Sequence, residues 1–408
     1  MKQRKTGSLV DNKKRYALIQ ELTQLYKAHG YVQISIPIYE PESDVKNGNS
    51  KKSVRFVDPT KGILTLQNDP TTAMMKMLQQ EKLNDVNKFC YYANTFGYQA
   101  NTLQEMTQIG LEYYGISEAA SDAEIVVLAI KSLLRINKEA LVEVSELRLY
   151  KAVEAIINQM APDPERVRFL LSTKNIPGIR REMLPEALEA LLIEYLGCTG
   201  SPKEVIERAK RFIENPLFKK KNALTQAIHY LEEIVEIVEA YELSSYFSLD
   251  LTIFGEYKYY NGIFFKGYLK NCPTEICSGG RYDLLSAEYG KPIPACGFAI
   301  KIDKILSTMA VKPIYRPNAI MICEHKISES GIQIAELYRS KGFIVDIRSY
   351  QSEKAAIDLA LAQSVENIVL LSDKTAKVIN LRKDEIVKYP IGEFKGKVSV
   401  TFKNESIH

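Results

Sequence analysis

With 408 residues, 46% of them apolar and 25% charged, the chain has material for two or three domains with ordinary cores and needs no covalent staples. Its 54 basic residues against 50 acidic leave a net charge of only +4, which excludes the overall basic field that holds nucleic acid by charge alone, although a local RNA-binding surface stays open. No apolar run approaches the roughly 20 residues of a membrane span. Six cysteines without paired metal spacing, together with a charged stretch Met1 to Ser8, predict a reduced, cytoplasmic protein whose thiols are buried or half-buried and hold no metal; Cys272 and Cys277 lack a partner pair or a nearby histidine.

From the N-terminus, Leu18, Ile19, Leu22, Leu25 and Tyr26 recur at helical spacing within Lys13 to His29, and Gly30 supplies a stop. Tyr31 to Tyr39 alternates as Val32, Ile34, Ile36 and Ile38, which predicts a strand with one apolar face ending between Pro37 and Pro41. Strand-like runs at Val54 to Val57 and Ile63 to Gln67 precede a helix at Thr71 to Gln80. Two further β-rich runs, Lys88 to Asn94 and Glu105 to Tyr114, flank a turn expected at Gly97 to Leu103. A helix at Ser121 to Leu134 and a strand at Val142 to Glu146 follow. The pattern then stays helical to Glu242, with faces such as Leu231, Ile234, Val235 and Val238 that read as an inserted helical subdomain over about 160–242. Strand signals return at Ser248 to Phe254 and run to a helix at Ile302 to Met309; Pro313 and Pro317 mark a linker; and 316–408 reads as a small α/β domain closing on a hairpin at Lys377 to Val387. A helical insertion within an antiparallel β layout predicts α+β rather than doubly wound α/β.

Four short segments carry candidate chemistry. Asp69-Pro70-Thr71-Thr72 sits at a strand-to-helix junction, where a carboxylate and hydroxyls equally serve as a helix cap. Gln108, Gly110 and Glu112 alternate onto one strand face, a floor on which a polar ligand can lie, or a solvent-facing edge. Tyr259-Tyr260-Asn261-Gly262 is an Asn-Gly hairpin signal. Ser278-Gly279-Gly280-Arg281 is a glycine pair that lets backbone approach a ligand. Arg180 and Arg181, after Pro177-Gly178, read as a solvated turn or a phosphate-binding pair.

In their joint order these segments resemble the class II histidyl-tRNA synthetases. Gly30-Tyr31 to Glu40 looks like motif 1, Tyr91 to Gly115 like motif 2 and Gly297 to Ile305 like motif 3, while Tyr257 to Phe265 and Ser278 to Asp283 look like the two histidine-specific signatures. The resemblance covers residues 1–312 as a catalytic-type core and extends to 316–408, which looks like an anticodon-binding domain. It implies a class II antiparallel sheet flanked by helices and a homodimer through motif 1. It also implies a histidine site in which Asp69, Thr71 and Gln108 receive the α-amino group, Glu112 and Tyr260 contact the imidazole beside Tyr259, and Arg281 with Tyr282 shapes the back of the pocket. The chemistry is consistent, because a carboxylate accepts from both an ammonium and a ring N–H.

Departures from the family pattern fall where ATP would be activated. The motif 2 Phe-Arg-x-Glu aligns with Ala93-Asn94-Thr95-Phe96, the arginine that serves the histidine carboxylate aligns with Gly255, and the motif 3 arginine aligns with Lys304, which lacks a planar fork. Hydrogen bonds to charged groups contribute about 1.5–3 kcal/mol each, and a transition-state arginine in phosphoryl chemistry roughly 10³–10⁵ in rate. Losing two arginines and weakening a third predicts no useful adenylation. A kept histidine pocket without the ATP arginines resembles the regulatory subunits of ATP phosphoribosyltransferase. That resemblance implies no catalysis, no cofactor, histidine as effector, and a hetero-octamer with a short-form catalytic subunit that this chain activates and through which histidine exerts feedback inhibition. The alternatives are an active histidine-tRNA ligase and a histidine- or tRNA-binding sensor; neither tRNA nor a membrane is an expected partner.

Overall fold

The computed structural model describes residues 9–42, 53–81, 86–99, 102–253, 259–270, 272, 274–306, 316–363, 365–381 and 383–396. The Met1 to Ser8 stretch, Gly255, the Tyr257 start of the first histidine signature and the expected linker at Pro313 therefore lie outside the described residues. The chain divides into two units, Met1–Met309 and Ala310–His408.

In the first unit a nine-stranded sheet runs, from one edge, through Val32–Gln33, Asn87–Gln99, Thr102–Tyr114, Ala295–Lys301, Cys277–Arg281, Ile263–Leu269, Ala140–Glu146, Phe247–Asp250 and Thr199–Gly200. Its central pairings are antiparallel; Val32–Gln33 with Asn87–Gln99 and Ala140–Glu146 with Phe247–Asp250 are parallel. Strands that neighbour in space but not in sequence make this α+β, as the layout of motifs requires. Helix Ala119–Ile136 is buried on almost every side, with Ile125 through Ile130 at 0–1% exposure, because it lies between the sheet and helix Lys221–Ala240. That second helix turns Leu231, Ile234, Val235 and Val238 inward, the face read from sequence. The helical block is inserted in sequence but continuous in packing: its buried residues join the same apolar cluster as the sheet, and Thr199–Gly200 within it extends the sheet edge.

Four local expectations are corrected. Tyr31 to Tyr39 is no single strand: Val32 and Ile38 are each 59% exposed while Ile36 is buried, Pro37 has no N–H to offer a ladder, and only Val32–Gln33 and Tyr39–Pro41 pair, in different sheets. The expected turn at Gly97 to Leu103 is mostly ladder, with Gly97 opposite Gln104, Tyr98 opposite Leu103 and Gln99 opposite Thr102. The two strands form one long ribbon, on which Tyr98, Thr102 and Leu103 are exposed. Asn261-Gly262 closes no hairpin; it leads into strand Ile263–Leu269, and Asn261 bridges segments by donating its N–H to the Arg281 carbonyl (2.9 Å) and accepting from the Asp283 N–H (2.9 Å). Gly279 and Gly280 lie inside strand Cys277–Arg281, where a Cβ on either would overlap the neighbouring strands, so the pair serves close strand packing rather than approach to a ligand.

The second unit is a five-stranded sheet in the order Ile344–Ser349, Arg316–Glu324, Val365–Leu371, Thr375–Asn380 and Glu385–Pro390, parallel across the first two pairings and antiparallel across the last two. Helices Glu329–Ser340 and Glu353–Ala362 are capped by Ser328 and Ser352, whose hydroxyls accept from the N–H three residues on. Arg180 and Arg181 end the short helix Ile176–Arg181 and are solvent-exposed.

Candidate functional site

The site grows from the centre of the large sheet. Strand alternation places Gln108, Gly110, Glu112 and Tyr114 on one face of Thr102–Tyr114, with Gly297 opposite Glu112 on Ala295–Lys301. Glu112 is 1% exposed; its carboxyl accepts from the Thr71 hydroxyl at 2.7 Å and from the Tyr282 hydroxyl. Burial raises its pKa to about 8, against the lowering effect of those two hydrogen bonds and with a smaller push from Asp69, which favours the protonated carboxyl at neutral pH. Tyr282, itself buried, stands edge-on to the rings of Tyr259 (5.8 Å between centroids) and Tyr260 (6.3 Å), and Tyr260 packs on Phe264. Thr71 and Tyr282, with Tyr259 and Tyr260 packed on Tyr282, thus cluster around the buried Glu112 carboxyl, and the buried Asp69 carboxylate acts on it electrostatically.

Asp69 fulfils the cap reading: its carbonyl accepts from the Ala73 N–H, and its carboxylate accepts from the Thr72 hydroxyl at 2.7 Å at the start of helix Pro70–Glu81. It is 7% exposed, and burial raises its pKa above the ordinary range. Gln108 is half-buried on the Glu112 face, four residues along the strand from it.

Arg281, expected with Tyr282 to shape the back of the pocket, is bonded within the protein. Its Nε and Nη2 donate to both carboxylate oxygens of Asp122 (3.0 and 2.8 Å), Nη2 to the Ser121 hydroxyl (3.0 Å), and Nη1 to Asp283 (2.9 Å) and the Ile116 carbonyl (3.2 Å). All five donors of the guanidinium are taken by the protein. Burial opposes its charge, but Asp122 outweighs burial and holds the pKa above the ordinary arginine value. Asp122 also accepts from Tyr230 at 2.8 Å, which ties this wall to helix Lys221–Ala240.

Sequence reasoning missed Gly297, Tyr91, Tyr114 and Asp122. A Cβ on Gly297 would overlap the Glu112 carboxylate and stand 2.5 Å from the Leu111 carbonyl. Gly297→Ala is therefore expected to push Glu112 out of place and lower stability by about 1–3 kcal/mol, the range for overpacking, visible as a lower midpoint in thermal denaturation; an unchanged midpoint would contradict this packing. Only the register of the two strands exposes this requirement.

At Asn94 and Lys304, the two described positions where the expected alignment puts a family arginine that this chain lacks, the side chains are bonded to neighbours. The Asn94 amide donates to Glu105 (2.7 Å) and accepts from the Thr107 hydroxyl (3.1 Å). Lys304 donates to the Glu275 carbonyl at 3.0 Å and lies 3.6 Å from its carboxylate, and Arg15 pairs with Asp303 at 2.6 Å. A half-open pocket of about 470 Å³ is lined by Gln33 to Ile38 and by Tyr92 to Asn94, the strand segment that pairs with Thr107 to Ile109.

The profile of the family described as histidyl-tRNA synthetase matches residues 9–305. The chain belongs to that family. Among curated members, it is 28% identical to the ATP phosphoribosyltransferase regulatory subunit of Thermoanaerobacter pseudethanolicus, over 82% of this chain and 90% of that one. It is 29% identical to the regulatory subunit of the same name from Clostridium kluyveri, over 87% and 94%. A solved ATP phosphoribosyltransferase regulatory subunit/histidyl-tRNA synthetase from Bacillus halodurans superposes with a TM-score of 0.67 at 22% identity, covering 88% of this chain and 94% of that one. Histidyl-tRNA synthetase from Nostoc sp. PCC 7120 gives 0.72 at 14% identity over 95% of both. The synthetase-like α+β fold expected from the motifs is thus the fold of this family member, and its likeness to the regulatory subunits spans both units. Among the described residues, no helix is long and apolar enough to cross a membrane and no cluster of His, Cys, Asp or Glu could hold a metal ion. The described thiols are free, five of them buried and Cys272 half-buried.

Proposed function

We propose that this chain is a non-catalytic regulatory subunit of ATP phosphoribosyltransferase, the first enzyme of histidine biosynthesis. It binds histidine through Asp69, Thr71, Gln108, Glu112, Tyr259 and Tyr260, with Arg281 as the support of the wall, and works in the cytoplasm. It activates a short-form catalytic subunit within a hetero-octamer and conveys feedback inhibition by histidine. The observation that carries this reading is the pairing of a buried, aromatic-flanked Glu112 carboxyl with a neutral, internally bonded Asn94 and a Lys304 held by Glu275. The first can select an imidazole, because a wrong ligand leaves buried polar groups unpaired; the second offers no guanidinium fork for a triphosphate. The names of the similar regulatory subunits support the same conclusion. A coupling of about 1–3 kcal/mol between histidine and the assembly state suffices for feedback. The homodimer forms through motif 1, where the pocket lined by Gln33 to Ile38 and exposed Val32, Ile38 and Tyr92 offer an apolar face to a second copy.

The test is calorimetric titration with L-histidine, with and without ATP and magnesium, alongside a pyrophosphate-release assay. Selective histidine binding unaltered by ATP, with no pyrophosphate released, is the expected result. Histidine-dependent ATP turnover would return the chain to the ligases.

A further inference from the structure

The floor formed by Gln108, Gly110 and Glu112 is covered. Tyr91 is the partner of Gly110 across the ladder between Asn87–Gln99 and Thr102–Tyr114, so its side chain rises from the same face of the sheet. A methyl placed on Gly110 would stand 2.7 Å from the Tyr91 hydroxyl oxygen and 2.8 Å from the ring carbon that bears it. The ring therefore lies across the strand, directly over the glycine. On the far side Gly110 pairs with Ala299, whose side chain is a single methyl, so the ring has small neighbours beneath and beyond it. Tyr91 is 2% exposed, and its hydroxyl is buried without a hydrogen-bond partner.

That last fact decides how the ring is held. A buried hydroxyl without a partner has lost its water and gained no bond in return. Tyr91 is held chiefly by packing: the Thr71 side chain approaches its hydroxyl, but no bond of good geometry resists the ring's departure. Glu112, by contrast, has both carboxyl oxygens bonded to Thr71 and Tyr282. The imidazole end of the compartment is organised in advance; the end over Gly110 is merely filled.

We propose that Tyr91 determines the specificity of this pocket: in the empty protein its ring occupies the seat over Gly110 that the main-chain atoms of a free amino acid would take, and it must swing out for such a ligand to bind. The proposal rests on the reading of this compartment as an amino-acid site. A ligand able to engage Glu112 through its side chain offsets the displacement of the ring; an amino acid without such a side chain does not, and is refused. Apparent affinity is reduced by the fraction of molecules with the ring already out. Imidazole alone needs only the Glu112 end and leaves Tyr91 where it is.

Tyr91→Ala and Tyr91→Val, each checked for a cooperative thermal transition, are compared with the full-length wild type by calorimetric titration with L-histidine and with imidazole. Both variants are expected to bind histidine at least tenfold more tightly and to accept other small amino acids, while imidazole stays within about twofold. Tyr91→Val, which keeps a β-branched residue in the strand, carries the test if the alanine variant does not fold. Tyr91→Phe retains the ring and is expected to remain within threefold of wild type for histidine. Histidine affinity in both truncations equal to or weaker than wild type overturns the proposal and leaves the regulatory reading intact. Binding by the truncations but not by wild type supports the occupied seat and overturns histidine sensing by the native chain. Absence of histidine binding in every protein overturns both.

Discussion

Arg281→Met is expected to lower the unfolding free energy by about 3–5 kcal/mol, the range for breaking a buried ion pair from one side. The side chain is 5% exposed and Asp122 is fully buried, so the substitution strands a carboxylate in the interior and leaves the Ser121 hydroxyl and Ile116 carbonyl without their donor. Lysine should not restore the loss, because an ammonium cannot reach Asp122, Asp283, Ser121 and the Ile116 carbonyl together. Arg281→Met combined with Asp122→Leu should recover much of it, since an apolar replacement of both partners is often nearly neutral. Chemical denaturation at pH 7 checks all three variants. A single Met variant within about 1 kcal/mol of wild type would mean that the network is a consequence of packing and not a support of the pocket wall.

The second large effect concerns Glu112. Glu112→Gln is expected to weaken histidine binding at pH 7 by roughly 10- to 150-fold, the loss of one hydrogen bond to a charged group of about 1.5–3 kcal/mol. The amide keeps the volume and can still accept from Thr71 or Tyr282, so the fold is retained and the loss reads out the charge. The pH profile follows from the proton count. With the carboxyl at about 8 and a free imidazole near its ordinary 6.5, the empty site and free ligand share one proton between those values. A bound imidazolium–carboxylate pair also holds one, so affinity is level from about pH 6.5 to 8. Below that window binding must release a proton, and above it must take one up, so affinity falls towards tenfold per pH unit on each side. Calorimetry across pH 5.5 to 9 should show this plateau in wild type and no loss above pH 8 in the glutamine variant.

The same group sets a stability trend. A carboxyl whose folded pKa lies above its unfolded value binds its proton more tightly when folded, so its contribution is complete below about pH 4.5 and is lost as pH rises through about 8. Relative to Glu112→Gln, wild type should therefore lose stability between pH 5 and 8 in urea titrations. A parallel pH dependence of the two proteins would place Glu112 in a wetter site than the one seen.

Periodicity alone determined much of this chain. The helices around Leu18 to Tyr26 and Leu231 to Val238, the strand face of Gln108 and Glu112, and the β-return after Ser248 are local patterns that packing only had to accept. The order of motifs carried the family, because short segments with separate structural uses rarely recur together in one sequence. Local signals misled where a residue type has two physical uses. Gly279 and Gly280 read as approach to a ligand and prove to be close strand packing; the polar stretch from Gly97 reads as a turn and proves to be an exposed ladder.

Only the tertiary structure decided what each polar group faces. The five donors of Arg281 meet partners far apart in sequence, from Ile116 to Asp283, and nothing near position 281 announces Asp122. The raised pKa of Glu112 depends on how completely three strands and a helix exclude water from it, and the covering of Gly110 depends on register with Tyr91. Sequence pattern settles which side of an element is apolar, because that is a property of spacing; charge state, saturation and occupancy belong to pairs of groups, and pairs exist only once the chain has folded.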